Sequence, residues 1–163
     1  MKRSVPLLLA AAVALAGPAA AQNAGQIARA KAGSSCPGCN LFQADLQGAK
    51  LEGRNFARAR LRQADFSAAV MTRTSFAGAD LRDVNGYGGV FTGASFARAD
   101  LTHASFVGGY FAGANFAGAR LEGTDFSGAE LARARGLAAA QLAHACGDPS
   151  TTLPLGLHLQ PCR

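Results

Sequence analysis

The chain has 163 residues, 16 Lys and Arg against 10 Asp and Glu, 20 glycines, ten phenylalanines and no tryptophan. That length allows one ordinary domain and excludes a large multidomain enzyme, while the mild positive charge says little by itself about partners. No tract after the first residues approaches the ~18 uninterrupted apolar residues that a membrane span needs.

The N-terminal segment carries Lys2 and Arg3, an apolar run from Val5 to Ala16, and Ala19, Ala20 and Ala21 before Gln22. A charged start, a short apolar core and a small-residue exit, in that order, predict a secretory signal over 1–21, cleaved between Ala21 and Gln22. The product would be a soluble secreted or periplasmic chain of 142 residues. Its formal charge would fall from +6 to +4, since Lys2 and Arg3 are lost and every acid is retained.

Residues 22–40 read as an N-terminal cap, in which Gly25 to Gly33 forms a weakly helical stretch containing Ile27. A turn at Cys36-Pro37-Gly38-Cys39 follows. From Leu41 a bulky apolar residue recurs at every fifth position: Leu41, Leu46, Leu51, Phe56, Leu61, Phe66, Met71, Phe76 and Leu81, then Phe91 through Leu131 after an interruption at Gly86. A period of five matches neither the 3.6-residue helix nor the alternating strand, so a fixed-period repeat is predicted over 41–135.

Two residues before each bulky position stands a small one, as at Ala44, Ala59, Ala64, Ala79, Ala94, Ala99 and Ala114. Large and small residues recurring in step imply a narrow interior, filled in its middle by the large side chains and at its corners by the small ones. A longer period fixes the number of sides. Leucine recurs at Leu41, Leu61, Leu81, Leu101 and Leu121, and phenylalanine at Phe56, Phe76, Phe96 and Phe116. Twenty residues at five per side make four sides per turn, with like residues stacked in columns. Successive coils would satisfy one another's backbone groups at about 4.8 Å, so nearly five coils make a rod about 20 to 25 Å long.

The recurring unit, as in Ala44-Asp45-Leu46-Gln47-Gly48, Ala64-Asp65-Phe66 and Ala114-Asn115-Phe116, resembles the pentapeptide-repeat proteins over residues 39–135. The resemblance implies an all-β solenoid, the right-handed quadrilateral β-helix of that family, with short helical and disulfide caps. Two positions depart from the pattern. Arg54 occupies an inward small-residue site and is expected to reach out past the open end, and Gly86 replaces a bulky residue, with Val84 expected to fill part of the space.

Beyond the repeat, residues 136–163 read as a C-terminal cap. A helix is predicted over 137–146, with Leu137, Leu142 and Ala145 on one side, before Gly147 and Pro149 stop it. Covers are needed because bare solenoid ends expose unpaired edges and apolar core. Four cysteines in an exported chain suggest two disulfides, for which three pairings can be drawn. Cys36 with Cys39 and Cys146 with Cys162 is favoured, each bond tying down one cap. The second would close a loop of about 17 residues and contribute about 3 kcal/mol on a chain-entropy argument. The stretch from Ala145 to Asp148, with Leu153-Pro154 and the final cysteine, resembles a tail on exported bacterial members of the family.

No residue pattern points to catalysis, a metal or a cofactor. His103, His144 and His158 stand on separate segments without metal-ligand spacing. Nucleophile-elbow, phosphate-loop and zinc motifs are missing from the sequence. The Asp and Asn residues before the bulky positions belong to the repeat unit. Cys36-Pro37-Gly38-Cys39 could hold a reactive thiol pair, which leaves a thiol-redox protein as a further alternative; but the motif opens a β coil rather than a helix, and a structural disulfide is expected.

Two outer surfaces remain. Arg58, Arg60, Arg62, Arg82, Arg98 and Arg120 fall on the fourth and first sides and could offer a basic ribbon to a polyanion, although Asp80 stacked near Arg60, and Asp100 near Arg120, would make salt ladders of it. Val70, Val90 and Tyr110 form an outward column on the third side, flanked by Tyr87 and Val107 on the second, a candidate protein interface or self-association surface. The reading is a non-enzymatic exported module of the cell envelope that contacts another protein, with polyanion binding as the alternative. Some family members mimic DNA as acidic cytoplasmic rods; this chain is basic, and no nucleic-acid partner is expected.

Overall fold

The computed structural model describes residues 23–163, so the predicted signal segment lies outside the described residues. From Asn40 to Asn115 every fifth residue forms a parallel β-bridge with the residue twenty positions later, as in Asn40 with Arg60, Asp45 with Asp65, Lys50 with Val70 and Asn55 with Ser75. The chain is thus a β-solenoid that returns to the same place every twenty residues. Its strands are single bridges separated by turns.

Local geometry follows from the five-residue unit. The amide of each small residue donates to the carbonyl of the preceding bulky one, as Ala44 does to Leu41 at 3.0 Å and Ala64 to Leu61 at 2.9 Å. Most turns hold their third residue at positive φ, including Gly48, Gly78, Gly93 and Gly118 and eight residues other than glycine, which is type II turn geometry. Between coils the remaining groups pair regularly: Leu41 N–H reaches the Arg60 carbonyl at 2.7 Å, and Arg60 N–H reaches that of Cys39 at 2.8 Å.

The interior is built as the spacing predicts. Nine of the ten phenylalanines are fully buried, with the leucine column and Met71 beside them. Phe56, Phe76, Phe96 and Phe116 stack with centroids 5.9, 5.3 and 5.1 Å apart and ring planes within 17°. Those separations match the rise between coils and suit offset aromatic stacking. Two inward threonines, Thr74 and Thr124, replace alanine at small positions and remain satisfied because each hydroxyl donates to a carbonyl of the coil before, that of Leu51 or Leu101. Arg54 is exposed, as expected.

Gly86 is filled differently from the expectation. Val84 is buried, but the space at Gly86 is taken by the Phe106 ring from the next coil, and a Cβ on Gly86 would overlap that ring. Phe106 is held there by edge-on packing with Phe91 at 5.4 Å and Phe111 at 5.3 Å. A ring can lean along the axis where the stacked neighbour has no side chain.

At the N-terminal end α1, Ala24–Lys31, is capped by Asn23, whose Oδ1 accepts from the Gln26 amide at 3.0 Å. Ala30 is buried and Ile27 packs against the core. Gln26 Oε1 accepts from the Asn40 N–H at 2.6 Å, satisfying a backbone group at the start of the ladder.

The C-terminal end corrects the predicted ten-residue helix. Only α2, Ala139–Leu142, is helical, because the chain then rejoins the solenoid. Cys146 bridges Asp125 and Thr152 bridges Glu130, at spacings of 21 and 22 residues instead of 20. Backbone pairing to the open coil edge competes with the helix and ends it. Strand β1, Cys146–Gly147, then pairs in parallel with β2, Gln160–Pro161. Gln141 Nε2 donates to the carbonyls of Phe116 and Ala119, both at 2.9 Å, a counterpart of Gln26 at the other end.

Candidate interaction surfaces

The cysteines are bonded as Cys36–Cys39 and Cys146–Cys162. Cys36 stands twenty residues before Phe56, in the bulky column, and Cys39 takes a small position. Both are almost fully buried, at 4% and 7% exposure. The Cys36 N–H donates to the Asn55 carbonyl at 2.8 Å, so the disulfide is part of a coil and covers the end of the phenylalanine column. Attack on a disulfide requires access to its sulfur, which this placement restricts.

The Cys162 sulfur lies 3.1 Å from Asp125 Oδ1, and Asp125, Cys146 and Cys162 gather at metal-ligand range. Both sulfurs are committed to their bond, which leaves a single carboxylate as donor. His103, His144 and His158 are exposed and lie apart, and His103 faces Asp83 at 4.0 Å.

The last loop is clamped by Asp148. Its Oδ1 accepts from the Ser150 hydroxyl at 2.6 Å, the Ser150 amide at 2.9 Å and the Gly128 amide at 3.0 Å. These donors, the Ser150 hydroxyl foremost, lower its pKa to about 2. Thr151 Oγ1 donates to the Phe126 carbonyl at 2.9 Å, which fastens the same loop to the preceding coil.

On the outside, apolar residues of the second and third sides stack coil on coil. Val70, Val90 and Tyr110 are successive bridge partners, and Tyr87 stands one coil from Val107. The valines are half-buried by their neighbours, whereas Tyr87 is 62% and Tyr110 46% exposed. Gly89 and Gly109 lie beneath, where a Cβ would come within 2.6 Å of the Phe91 ring or 2.7 Å of the Phe111 ring.

The six arginines divide. On the first side Arg82 clamps Asp80 of its own coil, Nε to Oδ1 at 2.8 Å and Nη2 to Oδ2 at 2.7 Å. Asp80 stacks on Arg60 as its bridge partner, as expected, but its carboxylate pairs with Arg82, because a side chain two residues on can engage both oxygens. That guanidinium lowers the Asp80 pKa, and Asp80 in turn raises that of Arg82. Arg62 pairs with Asp83 at 3.1 Å and Arg120 with Asp100 at 3.6 Å, the latter as expected. Arg58 and Arg98, on the fourth side, make no side-chain hydrogen bond or ion pair among the described residues, nor does Arg60.

Two family models for pentapeptide repeats match the sequence, one over residues 39–67 and 55–85 and the other over 91–135, together more than half of the chain. The chain belongs to the pentapeptide-repeat family. No curated protein matches it in sequence. Among solved pentapeptide-repeat structures it is similar to HetL, described as involved in heterocyst differentiation regulation in the cyanobacterium Nostoc sp. strain PCC 7120, at 28% identity over 73% of this chain and 59% of that one, with a TM-score of 0.41. It is also similar to a pentapeptide-repeat protein of the Arabidopsis thaliana thylakoid lumen, at 25% identity over 66% of this chain and 60% of that one, TM-score 0.31. QnrB1, described as a plasmid-mediated fluoroquinolone resistance protein, is 19% identical over 73% of this chain and 78% of that one, TM-score 0.30. This pentapeptide-repeat chain spans about three-fifths of the length of the first two. Among its described residues no helix is long and apolar enough to cross a membrane.

Proposed function

We propose that this protein is an exported, non-enzymatic module of the bacterial cell envelope, released from its signal segment near Ala21, that binds another protein through the outer strip of Val70, Tyr87, Val90, Val107 and Tyr110. Its body is a right-handed quadrilateral coil of nearly five turns, and its short helices and disulfides act as caps against end-to-end association. The observation that carries this reading is the pair of exposed tyrosines over a ladder of half-buried valines. Tyrosine brings contact area at low entropic cost, and clustered aromatics of this kind mark interface centres.

The test is the variant Tyr87→Ser/Tyr110→Ser. Solution mass by light scattering and co-purification from envelope extract are compared with the parent chain. Loss of a specific partner, or of a dimer, with folding unchanged is the expected result. If every partner and the oligomeric state survive, the strip has no such role. The redox alternative through Cys36 and Cys39 is disfavoured by the burial of both sulfurs; a disulfide there that exchanges rapidly with thioredoxin-type reductants would revive it.

A further inference from the structure

The strongest unassigned feature is the charge on the fourth side. None of the ten acidic residues falls in 54–58, 74–78, 94–98 or 114–118, whereas the first side carries Arg60, Arg62, Arg82 and Arg120 together with four acids. Acids could be placed beside arginines in this fold, as Asp80 is beside Arg82, yet the fourth side has none.

The arginines there are also seated. One outer column reads Gly38, Arg58, Gly78, Arg98, Gly118. A Cβ on Gly78 would lie 3.7 Å from Arg58 Cγ, and one on Gly118 would lie 3.3 Å from Arg98 Cγ. Each stem therefore runs along the axis over the glycine of the next coil, and at Gly118 an added methyl group would crowd the Arg98 stem. The two arginines repeat at two coil spacings, about 10 Å. Between them runs a shallow groove floored by Ala57 and Ala77, open to solvent.

We propose that this groove binds a linear acidic polysaccharide along the solenoid axis, its carboxylate or sulfate groups meeting Arg58 and Arg98 in turn. This deepens the polyanion reading of the basic corner, on which it rests, and moves the site off the first side. The planar guanidinium fork suits carboxylate and sulfate. One outward row, Asn55, Ser75, Ser95 and Asn115, is small and polar, and Ser75 and Ser95 offer hydroxyl contacts that a sugar chain can use. The face has no aromatic side chain outside its core on which bases could stack, as single-stranded nucleic acid binders require. It likewise lacks the apolar wedge of a helix that lies in a lipid surface.

The experiment uses the chain purified from an oxidising compartment, and two double variants that each remove two charges: Arg58→Asn/Arg98→Asn, which keeps a residue tolerant of positive φ, and Arg62→Asn/Arg82→Asn. Melting curves confirm that both fold. Binding is measured to polygalacturonate, heparin, an oligothymidylate and phosphatidylglycerol vesicles across a salt series. The proposal expects polysaccharide binding that weakens about tenfold in the fourth-side variant, with the salt dependence shallower by about two counterions, and changes less than about twofold in the first-side variant. Equal weakening in both variants, or an intact affinity in the fourth-side variant, overturns the site while leaving polyanion binding in place. Oligothymidylate or vesicles bound as tightly as polysaccharide through Arg58 and Arg98 overturns the ligand class. Failure of the parent chain to bind any of the four overturns the underlying polyanion reading as well.

Discussion

The strip of Tyr87 and Tyr110 and the arginine groove of Arg58 and Arg98 share one backbone, one core and one period, yet one surface is apolar and the other is cationic without acids. The bulky and small positions are buried and constrained by the columns above and below, so they repeat. Residues just before and after them face outward, where the fold requires only a bridge and a turn. Identity at those outer positions is free to serve binding. Substitutions inside the solenoid should therefore disturb both surfaces together, and outer substitutions only one.

The largest effect is expected at Gly86. Gly86→Leu restores the repeat pattern in sequence but collides with the Phe106 ring, so it should destabilise the fold by about 3 kcal/mol through overpacking. Denaturant unfolding measures the loss, and adding Phe106→Ala should recover part of it. A neutral Gly86→Leu would mean that Phe106 does not occupy that space.

Next, Cys146→Ser/Cys162→Ser should cost about 3 kcal/mol at most, because the closed loop is short, and leave both surfaces able to bind. Thr124→Val removes one of the hydrogen bonds to the Leu101 carbonyl, which still accepts from Ala104, and should cost about 1 kcal/mol in the same assay.

The Asp148 clamp gives a pH test. Its folded pKa is depressed below the ordinary value, so its stabilisation is present above the unfolded value of 3.8 and is lost as pH falls from there towards about 2. Asp148→Asn should flatten the stability curve in that window, read by thermal melts between pH 5 and pH 2. Smallest is Arg82→Gln, which breaks the Asp80 pair at the surface and should cost less than about 1 kcal/mol while sparing the apolar strip.

Much of this was legible from spacing. The five- and twenty-residue periods carry the solenoid, its columns and the stacking of the strip residues, because each core residue must match the one a coil away. What the period could not carry was the direction of side chains. Phe106 entering the space of Gly86 depends on how a ring leans, and the choice of Arg82 over Arg60 by Asp80 depends on which cation reaches both oxygens. The rejoining of the ladder at Cys146 was hidden because its 21- and 22-residue spacings break the period. Gln26 and Gln141, which satisfy backbone groups at the two ends, sit in short helices where a lone glutamine signals nothing. The absence of acids on the fourth side stands in the sequence, but it gains meaning only beside the paired arginines of the first.

The central claim is that the outer strip mediates protein contact independently of the fold. Quantitative cross-linking in envelope extract, comparing the parent chain with Tyr87→Ser/Tyr110→Ser at matched melting temperature, tests it most directly. The account predicts a specific cross-linked protein, or a second copy of this chain, that disappears with the tyrosines. The same cross-linked species from both chains would contradict it.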